Sequence, residues 1–478
     1  MAQNIFHTML IGRQLEISAL QECSRSDRSE LVAVYGRRRI GKTFLVKETF
    51  HDRFTFTYVG IRNQSTKQQL AQFAVALQMQ SQSVIRPTFN NWYEAFHALE
   101  SFLAHSRTKK KIVFIDEMPW LDNHRSNFVS ALEGFWNGWA CLRNDILLII
   151  CGSSTSWMVD KIFHNKGGLF NRVTRHIYLR PFTLSEVEQY LDAKSFNWDR
   201  YQIAQCYMIL GGVPHYLSLL DRSKSLSQNI DQLFFNGPNA PLRMEYDELF
   251  TSLFNHPDNY ARIIDLLCRH REGLSRKQLS ELGELGGAGL TKTLLNLERS
   301  DFIFGYSRYG SKSNNVIYRI KDFYSLFYHK FASSRDTKDP NRWSHLLNSP
   351  QVSSWQGLSF ELLCIQHLEQ IKCALGIQVM LNESSVWRSK DADHPAQIDL
   401  VIERADRVIN LCEIKFTQDR FVIDKKYGQW LSDRRALFVA QSKTKMSTII
   451  TMITTFGILP NKQSHIVSSE VTLDQLFN

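Results

Sequence analysis

The octapeptide Gly36-Arg37-Arg38-Arg39-Ile40-Gly41-Lys42-Thr43 lies between an apolar run, Leu31-Val32-Ala33-Val34-Tyr35, and the stretch Phe44-Leu45-Val46-Lys47-Glu48. A strand, a glycine loop and a helix are spelled out in that order, which is the pattern of a phosphate-binding loop. The two glycines let the backbone turn tightly enough for its N–H groups to converge on phosphate oxygens at a helix N-terminus. Lys42 adds a cation for β and γ phosphates, and the Thr43 hydroxyl can ligate magnesium.

Such a loop needs a second strand that carries a carboxylate, and Lys109-Lys110-Lys111-Ile112-Val113-Phe114-Ile115-Asp116-Glu117-Met118-Pro119-Trp120 supplies one. Four apolar residues ending in Asp-Glu read as a Walker B strand, buried on both faces as parallel strands are. Asp116 is expected to hold magnesium through water or Thr43, and Glu117 to orient or deprotonate the attacking water. A third apolar run, from Asp145 to Ser154, ends in hydroxyls. Ser153 stands where a sensor would read the γ-phosphate, although these serines could equally just turn the chain.

At 478 residues and 43% hydrophobic content, three or four domains with real cores are expected. The eight cysteines are scattered, none in a Cys-x-x-Cys pair, and most lie in apolar runs, so they read as buried thiols in a reducing compartment. No signal peptide is read, and the longest apolar stretch, around Ile146, is far too short to span a bilayer. A cytoplasmic address is expected. The net charge is +10. Residues 258–342 hold 15 Lys and Arg against 10 Asp and Glu, whereas residues 343–478 hold 14 of each. The basic middle segment points to a polyanion partner; the neutral C-terminal segment does not attract one by itself.

Along the chain, residues 1–180 alternate strands and helices, as in a parallel sheet with helices on both faces. A helix with apolar spacing Trp92, Phe96, Leu99, Leu103 leads into the Walker B strand. Residues 181–254 read as a helical lid, with Ser185 and Glu188 as a capping box and a break at Gly211-Gly212-Val213-Pro214. Residues 255–331 have the order of a winged helix-turn-helix. There Lys292, Thr293 and Asn296 are expected to face a major groove, and Arg308 and Lys312 to touch phosphates. The competing expectation is a winged helix that only packs on its neighbours. Residues 332–350, with Ser333-Ser334, Asp339-Pro340 and Ser349-Pro350, read as a linker.

Residues 351–478 carry a second chemical constellation. Gln397-Ile398-Asp399-Leu400-Val401-Ile402-Glu403 and Val408-Ile409-Asn410-Leu411-Cys412-Glu413-Ile414-Lys415-Phe416 read as a hairpin. Period-two alternation puts Glu413 and Lys415 on one face, within reach of Asp399. Two converging carboxylates make a hard-oxygen magnesium site, and a neighbouring lysine can position or activate a hydrolytic water. Glu361, on an upstream helix, could add a further carboxylate.

Taken together, the chain resembles the archaeal-type ATPase family, in the STAND branch of AAA-like P-loop ATPases, followed by a restriction-endonuclease-like PD-(D/E)xK domain. Ile11-Gly12-Arg13 with Glu16 resembles the family's opening signature near the adenine, and Asp116-Glu117-Met118-Pro119-Trp120 is similar to its Walker B, with Met118 where an aromatic is usual. Phe170-Asn171-Arg172 stands where the family has Gly-Arg, with Asn171 in place of the glycine; the resemblance makes Arg172 an arginine finger or γ-phosphate sensor. Gly211 to Pro214 resembles the element that closes over the adenine. Ile398 replaces the name-giving proline of the nuclease pattern.

The fold expected is α/β, a P-loop NTPase parallel sheet with a helical lid, then a winged helix-turn-helix, then an α/β restriction-endonuclease-like domain. The nucleotide-binding set is Arg13, Gly36, Arg37, Arg38, Arg39, Ile40, Gly41, Lys42, Thr43, Phe44, Asp116, Ser153 and Pro214. Arg38 and Arg39 could contact nucleotide, a neighbouring subunit or solvent. The catalytic set is Glu117, Arg172, Asp399, Glu413 and Lys415, and the metal ligands are Thr43, Asp116, Glu361, Asp399 and Glu413. ATP and Mg2+ are the expected cofactors and DNA the expected partner, with oligomerisation through the ATPase module. The expected function is an ATPase that controls a metal-dependent deoxyribonuclease; the alternative is a signalling ATPase whose C-terminal domain binds nucleic acid or a protein.

Overall fold

Strands β1 (Glu30–Tyr35), β3 (Lys111–Asp116) and β4 (Ile146–Gly152) are apolar at nearly every position, so they can be stable only with both faces covered. In the computed structural model they form, with β2 (Phe54–Val59) and β5 (Arg175–Tyr178), an all-parallel sheet of order β2-β3-β4-β1-β5. Alternate residues feed two separate cores. Leu31, Ala33, Val113, Ile115 and Leu148 pack on one side with helices α3 (Thr66–Ser81), α4 (Trp92–His105) and α5 (Phe128–Gly138). Val32, Val34, Ile112, Phe114 and Ile149 pack on the other with α1 (Gln14–Arg25) and α2 (Lys42–Phe50). Trp92, Phe96, Leu99 and Leu103 are all buried, as their spacing requires.

The structure describes residues 10–163, 169, 171–254, 256–270, 272–310, 316–334, 339–389 and 395–478. The chain divides into two compact units, residues 1–181 and 182–478. Among the described residues no helix is long and apolar enough to cross a membrane.

The second unit opens with helices α6 (Leu184–Ala193), α7 (Arg200–Leu210) and α8 (Pro241–Leu253). The capping box of α6 is formed by Thr183 and Glu186, not by Ser185 and Glu188. Both pairs have the right spacing; Leu184 and Val187 are the buried positions, so the helix must begin one residue after Thr183. Next come α9 (Pro257–Arg269), α10 (Arg276–Gly283), α11 (Gly287–Arg299) and a three-stranded antiparallel sheet of order β6-β8-β7, with β6 Leu274–Ser275, β7 Ile303–Ser307 and β8 Val316–Ile320. Helix α12 (Pro350–Gln366) then leads into a five-stranded sheet of order β13-β12-β11-β10-β9. Its strands are β9 Asn382–Arg388, β10 Gln397–Arg404, β11 Val408–Lys415, β12 Ser447–Thr454 and β13 Val467–Thr472, and helix α13 (Lys425–Ser442) connects β11 to β12. β9, β10 and β11 pair antiparallel, whereas β11, β12 and β13 pair parallel.

One apolar core runs through the second unit, drawing Ile203 and Tyr207 of α7, Ile303 of β7, Phe360 of α12 and Ile414 of β11 into the same cluster. The stretch read as a linker takes part in it. Trp343 is buried and packs edge-on against Phe327 and Trp355, while its backbone N–H donates to Asp231 Oδ1 at 2.7 Å. Burying an indole outweighs the freedom that Ser-Pro and Asp-Pro pairs suggest. Positions 335–338 of that stretch lie outside the described residues.

Candidate functional site

The phosphate loop leaves β1 at Gly36, whose φ is +142°, and enters α2 after Gly41, whose φ is +86°. A methyl group at Gly36 would lie 2.3 Å from the carbonyl oxygen of Leu179, so both conformation and space require glycine there. At Gly41 the space is open and only the conformation selects glycine. Lys42 is buried, and its ammonium donates to the loop's own carbonyls, Gly36 O at 3.0 Å and Arg37 O at 2.8 Å. Arg37 and Ile40 are buried, Arg39 takes a left-handed φ of +74°, and Phe44 is partly exposed on the first turn of α2. Arg38 Nη1 is buried with no hydrogen-bond partner among the described residues. A cationic donor in that state fits an anion in the loop.

The order β3-β4-β1 places β4 between the loop strand and the acid-pair strand, so three strand ends converge. Thr43 Oγ1 donates to Asp116 Oδ2 at 2.5 Å, and Asp116 Oδ1 accepts the Glu117 N–H at 2.8 Å. Glu117 has a left-handed φ of +49°. Its Oε1 accepts the Ser153 hydroxyl at 2.6 Å and its Oε2 the Ser153 N–H at 3.3 Å. Thr43, Asp116, Glu117 and Ser153 thus form one continuous polar chain beside the loop.

Arg13 is buried, and its Nη2 donates to the Arg180 carbonyl at 2.5 Å. Arg172 is exposed on the turn before β5; Phe170 lies outside the described residues. Pro214 belongs to the second unit, where it starts a short helix, Pro214–Leu217, behind two glycines of positive φ.

In the second unit, the sequence reading of α11 needs correction. Thr293 and Asn296 are buried and cannot face a groove; Asn296 Nδ2 donates to the Tyr260 hydroxyl at 2.8 Å. They flank the stripe Leu290, Leu294, Leu297, which turns them inward. Lys292 is exposed, as is Arg308; Lys312 lies outside the described residues.

On the larger sheet, β10 changes register against β9 between Ile398 and Val401, an irregularity that brackets Asp399. Asp399 Oδ2 accepts the Ile414 N–H at 3.0 Å, which ties it to β11. Burial, then the charges of Glu413 and Glu361, push its carboxyl well above the ordinary carboxylate range. Glu413 is buried, and Lys415 Nζ lies 2.8 Å from its Oε1. Two residues that sequence reasoning missed complete this centre. From α13, Tyr427 donates to Glu413 Oε1 at 3.0 Å and Arg434 Nη1 to Oε2 at 2.9 Å. Arg434 in turn lies over Trp430, with its guanidinium 3.5 Å from the ring centre. The spacing Tyr427, Trp430, Arg434 on one helix face was the available signal.

Among the described residues, no three His, Cys, Asp or Glu side chains converge as a metal-binding group. The expected trio of Glu361, Asp399 and Glu413 is therefore not a preassembled three-carboxylate site. The oxygens of Glu413 are engaged by Lys415, Tyr427 and Arg434, and one oxygen of Asp399 by the Ile414 N–H.

Residues 10–220 match the family model described as an ATPase domain predominantly from Archaea. An uncharacterized protein of Methanocaldococcus jannaschii is 27% identical over 331 residues, which cover 68% of this chain and 69% of the relative. Among solved structures, a Walker-type ATPase of Pyrococcus abyssi is similar with a TM-score of 0.46 and 17% identity, covering 67% of this chain and 96% of that one. The ORC2 protein of Aeropyrum pernix, solved as ADPNP–ADP complexes, is similar with a TM-score of 0.44 and 12% identity, covering 77% and 98%. Residues 10–220 are thus similar to an ATPase domain found predominantly in Archaea, and the phosphate loop and the acid-pair strand both lie within the matched segment.

Proposed function

We propose that the chain is an ATP-hydrolysing switch whose second unit binds DNA and carries a magnesium-dependent endonuclease centre under its control. For the ATPase half, the carrying observation is the polar chain from Thr43 through Asp116 and Glu117 to Ser153. Lys42 and the loop N–H groups would cradle the phosphates. Thr43 and Asp116 would hold magnesium, which neutralises phosphate charge when bound. Glu117 takes the role of aligning the attacking water, and Ser153 holds its carboxylate in place. In this reading Arg172 meets the γ-phosphate and Arg13 belongs to the adenine side.

For the nuclease half, support comes from Asp399, Glu413 and Lys415 at one strand pair, with Lys415 Nζ 2.8 Å from Glu413 Oε1. Burial and then the neighbouring acids raise the Asp399 carboxyl, a setting that suits a divalent cation, whose binding would relieve that cost. A metal held there by Asp399 and Glu413 would polarise a phosphodiester and activate water. Lys415 would orient that water once released from Glu413, and the elements 257–320 are read as a winged helix that contributes to DNA binding. The test is incubation with supercoiled plasmid and manganese or magnesium, beside the variant Glu413→Gln/Lys415→Ala. Cleavage lost in the variant supports the reading; equal cleavage in both, or in neither, refutes the assignment of this centre.

One observation favours a second reading, a signalling ATPase with a binding-only C-terminal region. Both oxygens of Glu413 are already satisfied within the protein by Tyr427, Arg434 and Lys415. In that case titration with manganese would show no site that Asp399→Ala removes.

A further inference from the structure

The small antiparallel sheet is stitched to the edge of the larger one. Just beyond β7, Arg308 forms a parallel bridge with Val386 of β9, and the Tyr309 N–H donates to the Val386 carbonyl at 3.0 Å. The Tyr309 hydroxyl donates to Glu403 Oε2 at 2.7 Å, and its ring packs on Phe438. Along this seam lies a cavity of about 220 Å³ whose wall contains Arg308, Arg319 and Arg388.

The three guanidinium groups are not equivalent. Arg388 is ion-paired to Glu272 and donates to Gln397 Oε1 at 2.6 Å, so its charge is met. Arg308 and Arg319 have no ion-pair partner among the described residues. Arginine cannot shed its proton, and against the three guanidinium groups the wall sets two carboxylates, Glu272 and Glu361, so one positive charge is in excess and an anion would offset it. The volume is below the roughly 300–1,000 Å³ of pockets that enclose whole small ligands, which suits a phosphate group better than a complete nucleotide. The wall also includes Glu361 and Gln397. Gln397 stands two residues before Asp399 on β10, and the charge of Glu361 acts on the Asp399 carboxyl, so the cavity shares residues with the surroundings of the carboxylate centre.

We infer that the seam cavity is a phosphate subsite in which Arg308 and Arg319 seat one phosphodiester of a nucleic-acid strand, next to the linkage presented to Asp399. Only the last clause rests on the nuclease reading. Anchoring a strand at a fixed distance from the acids orients the linkage to be cut, and a guanidinium fork grips the non-bridging oxygens in two directions. The shared chemistry is a phosphate oxyanion, and its source is either a strand or a free phosphate.

The test is fluorescence anisotropy of a labelled oligonucleotide, single-stranded and duplex, with the full chain in EDTA so that binding is read without cleavage. Arg308→Ala/Arg319→Ala is expected to weaken binding about tenfold at low salt and to reduce the slope of log affinity against log salt by about 1 to 2. Arg308→Ala alone, at an exposed position, should weaken it about threefold. Wild-type affinity and slope in both arginine variants would overturn the subsite. Weakened binding of inorganic phosphate with unchanged oligonucleotide binding would overturn the strand as its ligand. Lost binding in the arginine variants of a protein that cleaves nothing leaves the subsite standing and removes only the nuclease reading.

Discussion

The hydroxyl of Ser153 reaches Glu117 Oε1 at 2.6 Å, joining the tip of β4 to the residue after β3. The carboxylate assigned to water is thereby fixed by a group from a neighbouring strand, not by its own left-handed backbone. Ser153→Ala should leave nucleotide affinity within about twofold and lower kcat about fivefold, the value of about 1 kcal/mol for one hydrogen bond. Glu117→Gln should lower kcat by about 100-fold or more at unchanged affinity. Steady-state hydrolysis combined with fluorescent-nucleotide titration separates the two quantities. A Ser153→Ala variant that loses affinity and keeps kcat would contradict the positioning role.

The two loop glycines should differ in what they tolerate. Gly41→Ala meets nothing within 4 Å and incurs only the left-handed conformation, about 1 kcal/mol. Gly36→Ala drives a methyl to 2.3 Å from the Leu179 carbonyl oxygen and should destabilise the first unit by about 3 kcal/mol or more. Urea unfolding of the two variants measures the difference.

His367 makes stability of the second unit depend on pH. Its Nδ1–H donates to the Leu363 carbonyl at 2.9 Å, and its Nε2 accepts the Leu184 N–H at 3.1 Å at the start of α6. Protonation would put a second hydrogen where that N–H already points. Burial lowers its pKa from 6.5 to about 4. The unfolded chain therefore binds the proton first, so stability is complete above pH 6.5 and falls as pH drops toward 4, by about 3 kcal/mol. His367→Gln should flatten that part of the pH profile in denaturant midpoints. An unchanged slope between pH 6.5 and 4 in the variant would refute the assignment.

Arg434 should matter because it partly neutralises a buried acid. Arg434→Met leaves Glu413 with Tyr427 and Lys415 and should cost about 2 kcal/mol, less than a fully abandoned buried charge. In a Glu413→Gln background the same change should cost under about 1 kcal/mol. A double-mutant cycle by urea denaturation checks both numbers.

The legible parts of this chain are those written in consecutive residues. Gly36 to Thr43 and Ile112 to Glu117 each carry strand, turn and chemistry within a dozen positions, so their local structure follows from propensity and burial. The strand order that brings Ser153 beside Glu117 is not written in any one segment, because it depends on β4 inserting between β1 and β3. The polarity of Thr293 and Asn296 suggests exposure, while their neighbours Leu290, Leu294 and Leu297 define the buried face that takes them in. Tyr427 and Arg434 stayed hidden because their partner, Glu413, lies across a helix–sheet contact. Trp343 turned an apparent linker into core, since Pro and Ser describe local stiffness and say little about where an indole will be buried.

The most direct measurement of the proposed coupling is plasmid cleavage by the wild type and by Glu117→Gln, each with and without ATP, beside Asp399→Asn. Cleavage by the wild type should change severalfold with ATP, Glu117→Gln should alter that response, and Asp399→Asn should not cleave. Cleavage that is indifferent to ATP and to Glu117, or that persists in Asp399→Asn, would contradict the proposed coupling.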